Sequence, residues 1–167
     1  MLILDVGCGE NKRGDLGMDI RKMPGVDVVA SASNIPFMDG TFREALAFEV
    51  LEHLENPAEA LREIRRILKT ASTLRSSVPN IYWCGRILRA VLGTKVEETH
   101  TLHEHINSWT ICEIGHLLEH SQFKLVDYYY EDTGPSKRFK LLFGILRLNR
   151  IFKALTNHQL FFSAKRL

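Results

Sequence analysis

The opening of the chain constrains its fold more than any other segment. An apolar run from Leu2 to Val6, interrupted only by Asp5, stops at the turn Gly7-Cys8-Gly9. A second short run, Leu16 to Ile20, carries the acid Asp19 near its end. In open α/β proteins, a buried parallel strand leads into a glycine turn, and the next strand presents a carboxylate to a ribose. This layout therefore predicts an α/β domain with a nucleoside site.

Short apolar runs and helical patterns alternate along the rest of the chain. The predicted strands are Leu2–Val6, Leu16–Ile20, Val26–Ala32, Glu44–Glu49, Thr73–Val78, Phe123–Tyr130 and Gln159–Lys165. The predicted helices are Pro57–Lys69, with Asn56 as N-cap, and Thr110–Ser121, with a Thr110–Glu113 capping box. This alternation is typical of an open, mostly parallel sheet. Because there are no repeats or linkers, we expect residues 1–167 to form one domain.

Two stretches interrupt the alternation. Residues 80–109 combine a predicted helix, Tyr82 to Leu92, with a polar loop rich in histidine. Residues 133–158 contain a predicted helix at 138–155 that is apolar on most sides. Because α/β folds carry function on the segments between core strands, we expect both insertions to cover the substrate side of the domain.

The composition and the charge distribution indicate the compartment and the kind of partner that suit the protein. The three cysteines, Cys8, Cys84 and Cys112, do not have the spacing of a disulfide framework, which favours a reducing compartment. No signal peptide or membrane span is recognisable, so we expect a cytoplasmic location. After Asp132 eight basic residues and no acidic one follow. That asymmetry fits either an anionic partner or an ordinary solvated helix face, and the sequence leaves both open.

Several ordered motifs resemble one family, the class I S-adenosylmethionine-dependent methyltransferases. The matching pieces are Leu4-Asp5-Val6-Gly7-Cys8-Gly9, Gly17-Met18-Asp19-Ile20, Asn34-Ile35-Pro36-Phe37, Glu49-Val50-Leu51-Glu52-His53, Asn56-Pro57 and Ser77-Val78-Pro79-Asn80. Such a series is far more specific than a single glycine motif. The resemblance implies a Rossmann-like fold with a mostly parallel seven-stranded sheet, and S-adenosyl-L-methionine as cofactor.

The resemblance also implies roles for residues of the glycine turn and of the second strand. Gly7, Cys8 and Gly9 would let the backbone approach the methionine end of the cofactor. Asp5 resembles the acid that helps to hold the cofactor's ammonium group. Asp19, followed by Ile20, would accept the ribose hydroxyls.

Two further groups complete the expected cofactor site. Ser33, Asn34 and Ile35 stand where the family brackets the adenine with a backbone amide and an apolar wall. Phe48, Glu49 and Val50 end the fourth strand at the switch point of the sheet, where ligands bind in open α/β folds.

A nicotinamide-binding Rossmann domain is the rival interpretation of the glycine turn. That motif requires a third glycine where this chain has Lys12, and an acid about 20 residues downstream. Asp19 follows Gly9 by only ten residues. Dinucleotide binding is therefore disfavoured.

The chain departs from the family in its early connections. Residues 7–15 and 21–25 are shorter than a parallel crossover normally needs, so we expect the usual helices there to be missing or reduced to turns. The direction of the third strand stays open. One sheet face would then lack cover near that edge, which makes it a candidate for self-association as a homodimer or for packing by the C-terminal helix at 138–155. Ser31 replaces an acid that the family usually places before the adenine loop.

Methyl transfer depends mainly on the orientation of the two reactants, and a general base is needed only when the acceptor must lose a proton. His53 leads the candidates because it follows the fourth strand closely, and His105 in the polar loop is the second; either could instead be a packing or surface residue. We expect no metal site, although His116-Leu117-Leu118-Glu119-His120 and the cluster His100, His103 and His105 superficially resemble one.

The acceptor is only partly bounded by the sequence. Phe48-Glu49-Val50-Leu51 differs from the Asn/Asp-Pro-Pro-aromatic motif of base N-methyltransferases, so a nucleic acid partner is not expected. Motifs of this type more often accompany small, hydrophobic, lipid-linked or glycan-linked acceptors, methylated at oxygen or carbon. The helix at 138–155 could contact a membrane surface. The alternatives are a non-catalytic partner subunit of methyltransferase fold and, more remotely, an RNA-binding protein that uses the basic tail.

Overall fold

The computed structural model describes residues 2–83, 91, 106–131 and 153–167. The strands are β1 (Ile3–Val6), β2 (Leu16–Asp19), β3 (Val28–Val29), β4 (Phe42–Phe48), β5 (Leu68–Pro79), β6 (Phe123–Glu131) and β7 (Gln159–Arg166). The helices are α1 (Pro57–Ile67), α2 (Ile111–His120) and α3 (Lys153–Thr156), with a 3₁₀ turn at Leu51–His53. Most of the predicted helix Tyr82–Leu92, and all but the end of the helix at 138–155, lie outside the described residues.

The described strands form one seven-stranded sheet in the order β3-β2-β1-β4-β5-β7-β6. The first five strands in that order are parallel to one another, and β7 runs antiparallel to both β5 and β6. The predicted fold class is therefore confirmed. β3 is parallel to β2, although it contains only two residues where the sequence predicted a strand from Val26 to Ala32.

The hydrophobic core lies on one face of the sheet. Residues in register across the strands share that face: Leu16, Leu4, Ala45, Leu74, Ala164 and Leu125. Helices α1 and α2 pack over it and contribute Leu61, Ile64, Ile114 and Leu118 to the same core cluster. The predicted caps are present: the Asn56 side chain accepts from the Glu59 amide, and Thr110 and Glu113 form the capping box.

Tight turns replace helices in the two early connections, as predicted. The Asp15 carboxylate accepts a hydrogen bond from the Ile3 amide at 2.8 Å, which ties the loop back to β1. The Asp27 carboxylate accepts from the Gly17 amide at 2.7 Å and from Lys12 Nζ at 2.9 Å. Because Asp27 immediately precedes β3, this contact draws the short strand alongside β2 without a crossover helix.

The opposite sheet face carries a polar row in place of a core. Asp5, Leu46, Arg75, Ser163 and Asp127 are in register on that face. Near it, the rings of Tyr129 and Phe161 stack with centroids 5.2 Å apart. The two longer described helices, α1 and α2, both pack on the core face. None of the described helices is long and apolar enough to cross a membrane.

Candidate functional site

A cleft of about 500 Å³ opens at the carboxyl ends of β1, β2 and β4. β1 lies between β2 and β4 in the sheet, so the chain builds the sheet outward from β1 first on one side and then on the other. The cleft therefore lies at the switch point of the sheet. Its volume lies in the range of small-molecule sites. The lining residues are Val6, Gly7, Met18, Asp19, Ile20, Arg21, Ala30, Ser31, Ala32, Glu49, Val50, His53 and Leu54.

The glycine turn after β1 forms the floor of the cleft. Gly7 and Gly9 adopt φ values of +67° and +55°, which suit glycine, and the Gly7 amide donates to the Met18 carbonyl at 2.7 Å. A Cβ at Gly7 would lie 2.5 Å from Cγ2 of Val50. Glycine at this position is therefore required for the close approach of β1 and β4, and it leaves backbone accessible to a ligand.

Asp19 places a carboxylate on the adjoining wall. Its side chain is only 6% exposed, and its two oxygens accept from the Gly9 amide at 3.1 Å and from the Arg21 amide at 2.9 Å. The guanidinium of Arg21, itself 71% exposed, lies 3.5 Å from the same carboxylate. Because each carboxylate oxygen has two lone pairs, both can still accept a hydroxyl from a ligand in the cleft. Ile20 lines the cleft beside it.

The loop after β3 closes the cleft through Ser31 and Ala32. The predicted adenine-loop residues Ser33, Asn34 and Ile35 follow these two and are not themselves among the lining residues. The Ser33 amide donates to Ser31 Oγ, at 3.2 Å, and the Asn34 amide donates to the Ser31 carbonyl. Ser31, which replaces the usual acid, therefore shapes the loop. The roles of Ser33, Asn34 and Ile35 toward adenine stay predictions.

The end of β4 brings Glu49 and Val50 into the cleft. Glu49 has φ +57°, an uncommon conformation for a residue with a side chain, and its carboxylate accepts from Ser77 Oγ at 3.2 Å. Phe48 is turned the other way: its ring lies 6.0 Å from that of Phe161 and under the guanidinium of Arg13, on the sheet face opposite α1 and α2.

Glu52 is the acid of this region that sequence reasoning did not single out. It is 0% exposed, and no described side chain donates a hydrogen bond to its carboxylate. Burial, and then the neighbouring charge of Glu49, raise the pKa of Glu52 to about 8. Burial cannot be recognised in a motif, so only the structure distinguishes Glu52 from an ordinary surface glutamate.

Asp5 and Cys8 are buried beside the cleft without lining it. Asp5 is 1% exposed, and its carboxylate accepts from the Arg13 amide at 2.7 Å, so it shapes the loop after β1. Burial raises the pKa of Asp5, and the hydrogen bond from Arg13 acts in the opposite direction. Cys8 is 5% exposed, and burial and then the charge of Asp5 raise the pKa of its thiol. Their roles toward a cofactor stay predictions.

The structure describes only one of the two predicted catalytic histidines. His53 is exposed and lines the cleft next to Glu49. His105 lies outside the described residues. Within the described ranges, no group of three or more histidine, cysteine or acidic side chains is arranged to hold a metal ion.

Three residues, Arg21, Ala32 and Leu54, line the cleft although no motif indicated them. For Arg21, its position two residues after Asp19 was the available signal.

Comparison with known proteins agrees with this geometry. A profile of a family described as a methyltransferase domain matches residues 1–128. An uncharacterized protein of Methanocaldococcus jannaschii is 36% identical over 93 residues, which cover 47% of this chain and 41% of that protein. The chain spans about two-fifths of the length of the curated relatives that it matches, 41% for each of two.

Solved structures share the fold at low identity. A SAM-dependent methyltransferase of Methanosarcina mazei has a TM-score of 0.63 and 16% identity, covering 99% of this chain and 92% of that chain. The 1,6-didemethyltoxoflavin-N1-methyltransferase of Burkholderia thailandensis, solved with 1,6-didemethyltoxoflavin and S-adenosylhomocysteine, has a TM-score of 0.65 and 16% identity, covering 98% and 70%. At this level of identity the likeness concerns the fold alone.

Proposed function

This chain belongs to the class I S-adenosylmethionine-dependent methyltransferase family, and from that premise we propose that its cleft binds S-adenosylmethionine and that the protein methylates a small acceptor. The observation that carries the proposal is the meeting of Gly7, Asp19 and Glu49 in one cleft of about 500 Å³ at the switch point of the sheet. A buried carboxylate, an open glycine backbone and an apolar wall are the groups that a nucleoside with a charged tail requires.

The residues of the cleft fit the cofactor part by part. Asp19 is buried and ordered by two backbone amides, so it is positioned to accept the ribose hydroxyls. Ser31 and Ala32 would flank the adenine, in place of the deeper residues expected from sequence. Gly7 would contact the methionine end, with Asp5 held behind it by the loop after β1.

When bound, S-adenosylmethionine supplies an electrophilic methyl group on a sulfonium. The protein's part is to hold an acceptor in line with that methyl group and to exclude water. His53 lines the same cleft, and histidine is the side chain that most often serves as a general base. His53 would act as a base for a hydroxyl acceptor, with His105 as the second candidate.

We further propose a small acceptor that is hydrophobic or carries a lipid or glycan, methylated at oxygen or carbon. The Burkholderia relative in fold acts on a small heterocycle, which supports the size class and not the acceptor atom. Contact with a membrane through residues 138–155, and dimerisation through the sheet face opposite α1 and α2, stay predictions.

A non-catalytic role is the second candidate. Helices α1 and α2 both pack on the core face of the sheet, so the opposite face is where a partner subunit could pack. In that case the protein would still bind the cofactor, or would only keep the fold of the family. It would serve as a subunit of a larger methyltransferase.

Titration calorimetry with S-adenosylmethionine and S-adenosylhomocysteine tests the proposal. We expect binding by the wild type, and about hundredfold weaker binding by Asp19→Ala, because two hydrogen bonds to a charged acceptor contribute roughly 1.5 kcal/mol each. Asp127→Asn, an exposed acid far from the cleft, is the control. Circular dichroism must show that Asp19→Ala is folded, since Asp19 also holds Gly9. Absence of binding by a folded wild type would reject the proposal.

A further inference from the structure

Glu52 presents an electrostatic problem that the proposed function does not explain. Its side chain is completely buried in the 3₁₀ turn after β4, and no described side chain donates a hydrogen bond to its carboxylate, although its own backbone amide acts to lower its pKa. An unpaired buried carboxylate is strongly disfavoured, so such a group is expected to be neutralised by a proton or by a cation.

In the described part of the chain, no cation is among the groups that shift the pKa of Glu52. Its backbone carbonyl accepts from the amides of Ile106 and Asn107, at 2.9 and 3.0 Å, and both of these side chains are neutral. The neighbouring charge that acts on it is that of Glu49, another carboxylate. On β5, Ser77 contributes a hydroxyl to Glu49. Glu49, three residues earlier in the chain, therefore adds a like charge to the surroundings of Glu52.

Glu49 connects this pair to the cleft. Its φ of +57° and the hydrogen bond from Ser77 Oγ fix its carboxylate at the cleft wall. Strained backbone of this kind concentrates at functional sites. The other titratable groups of the cleft lining are Asp19, Arg21 and His53. Arg21 lies against Asp19, two strand positions away from β4.

We propose that Glu49 and Glu52 form a carboxyl pair that holds one proton while the cleft is empty and releases it when a cationic ligand enters. This inference rests on the proposed function, because the cationic ligand it assigns is the sulfonium of S-adenosylmethionine. The balance is simple: one carboxylic acid becomes a carboxylate, the proton passes to buffer, and the ligand's positive charge in the cleft, which Glu49 lines, offsets the negative charge that the pair gains. The pair therefore favours the charged methyl donor over the uncharged thioether product.

The first test needs no ligand. The free energy of unfolding is measured by urea titration from about pH 4 to pH 9 for the wild type, Glu52→Gln and the exposed control Glu55→Gln. The pKa of Glu52 is raised in the folded state from 4.5 to about 8, so its protonation stabilises the fold most below 4.5, and that stabilisation is lost as pH rises to about 8. Relative to Glu52→Gln, the wild-type folding constant should fall by up to about tenfold per pH unit across this window.

Glu49→Gln provides a second variant for the same measurement. Removing the charge of Glu49 should lower the pKa of Glu52 and end the loss of stability at a lower pH. If the free energy of unfolding depends on pH in the same way for the wild type, Glu52→Gln and Glu49→Gln, the proposal of a shared proton is wrong.

The second test follows proton release on binding. Calorimetry near pH 7 in phosphate and in Tris, whose ionisation enthalpies differ, gives the number of protons released by each ligand. We expect S-adenosylmethionine to release up to one proton more than S-adenosylhomocysteine in the wild type and in Glu55→Gln, and this difference to disappear in Glu52→Gln. An equal difference in Glu52→Gln would overturn the assignment.

The outcomes separate the two proposals. If neither ligand binds while the pH dependence of unfolding persists, the proposed function and the ligand assignment fail together, and the proton pair stands. If Mn²⁺ or Mg²⁺ binds the wild type and not Glu52→Gln, a metal ion and not a proton neutralises the pair, and the inference is wrong.

Discussion

Replacing Arg66 of α1 should loosen the loop after β3, which closes one side of the cleft. The guanidinium donates to the carbonyls of Ile35 and Phe37, at 2.8 and 2.7 Å, and to the carboxylates of Glu63 and Asp39. Glu63 in turn accepts from the Ile35 amide at 2.9 Å. One side chain thus joins the loop to the helix that forms the core.

The size of the expected loss of stability depends on which contacts of Arg66 are shielded from solvent. Asp39 is 80% exposed, so its ion pair with Arg66 contributes little. The side chains of Arg66 and Glu63 are 31% and 22% exposed, and the two carbonyl contacts are hydrogen bonds from a charged donor, which contribute roughly 1.5–3 kcal/mol each. Taking the low end because Arg66 is partly solvated, we expect Arg66→Met to lower the free energy of unfolding by about 3 kcal/mol. Arg66→Lys should lose about half of that, because an ammonium lacks the planar fork.

Urea denaturation followed by circular dichroism measures this loss at neutral pH. The exposed Arg62→Met on the same helix is the control, and it should change the free energy of unfolding by less than about 0.5 kcal/mol. The hydrogen bond from Arg66 holds the pKa of Glu63 below its usual value, so the contribution of the pair is present above the ordinary pKa of 4.5 and is lost as pH falls through the lowered one. Equal stability of Arg66→Met and Arg62→Met would refute the reasoning.

Three further predictions concern single contacts. Asp27→Asn should lower the free energy of unfolding at neutral pH, because hydrogen bonds from the Gly17 amide and then Lys12 hold the pKa of Asp27 below its usual value; in acid the variant and the wild type should become equally stable. Urea titrations at neutral pH and at about pH 3 measure this, and a difference in stability that persists in acid would contradict it. Gly7→Ala should weaken S-adenosylhomocysteine binding in calorimetry, because its Cβ would meet Val50 at a φ of +67°, whereas unchanged affinity would refute the need for glycine. Thr110→Ala should lower the melting temperature by about 2–4 °C through the loss of a cap of about 1 kcal/mol, and an unchanged melting temperature would count against the capping box.

Much of the fold could be predicted because its signals are local. The caps at Asn56 and Thr110 depend on residues within one turn of each helix, and both helices begin as predicted. The strands β1, β2 and β4 were recognisable as short apolar runs beside turn residues. The length of β3 was predicted less well, because only two residues of a longer apolar segment pair with β2.

The site was predictable to the extent that it lies where strands end. Gly7, Asp19, Ile20, Glu49, Val50 and His53 were all chosen from motifs and all line the cleft. Ser33, Asn34 and Ile35 were chosen from the same logic and stand behind the lining, because the Ser31 hydroxyl and the Glu63 carboxylate turn the loop. Phe48 points to the other sheet face because neighbouring residues of a strand alternate in direction.

The sequence by itself determined the class of fold, the glycine turn, the buried acid after the second strand and the helix caps, because each depends on residues close together in the chain. The tertiary structure alone decided three things. It made β3 parallel through the contact of Asp27 with Gly17, it tied the loop after β3 to α1 through Arg66, and it buried Glu52 beside Glu49. Each of these depends on the packing of segments distant in sequence, and on an exclusion of water that no motif encodes.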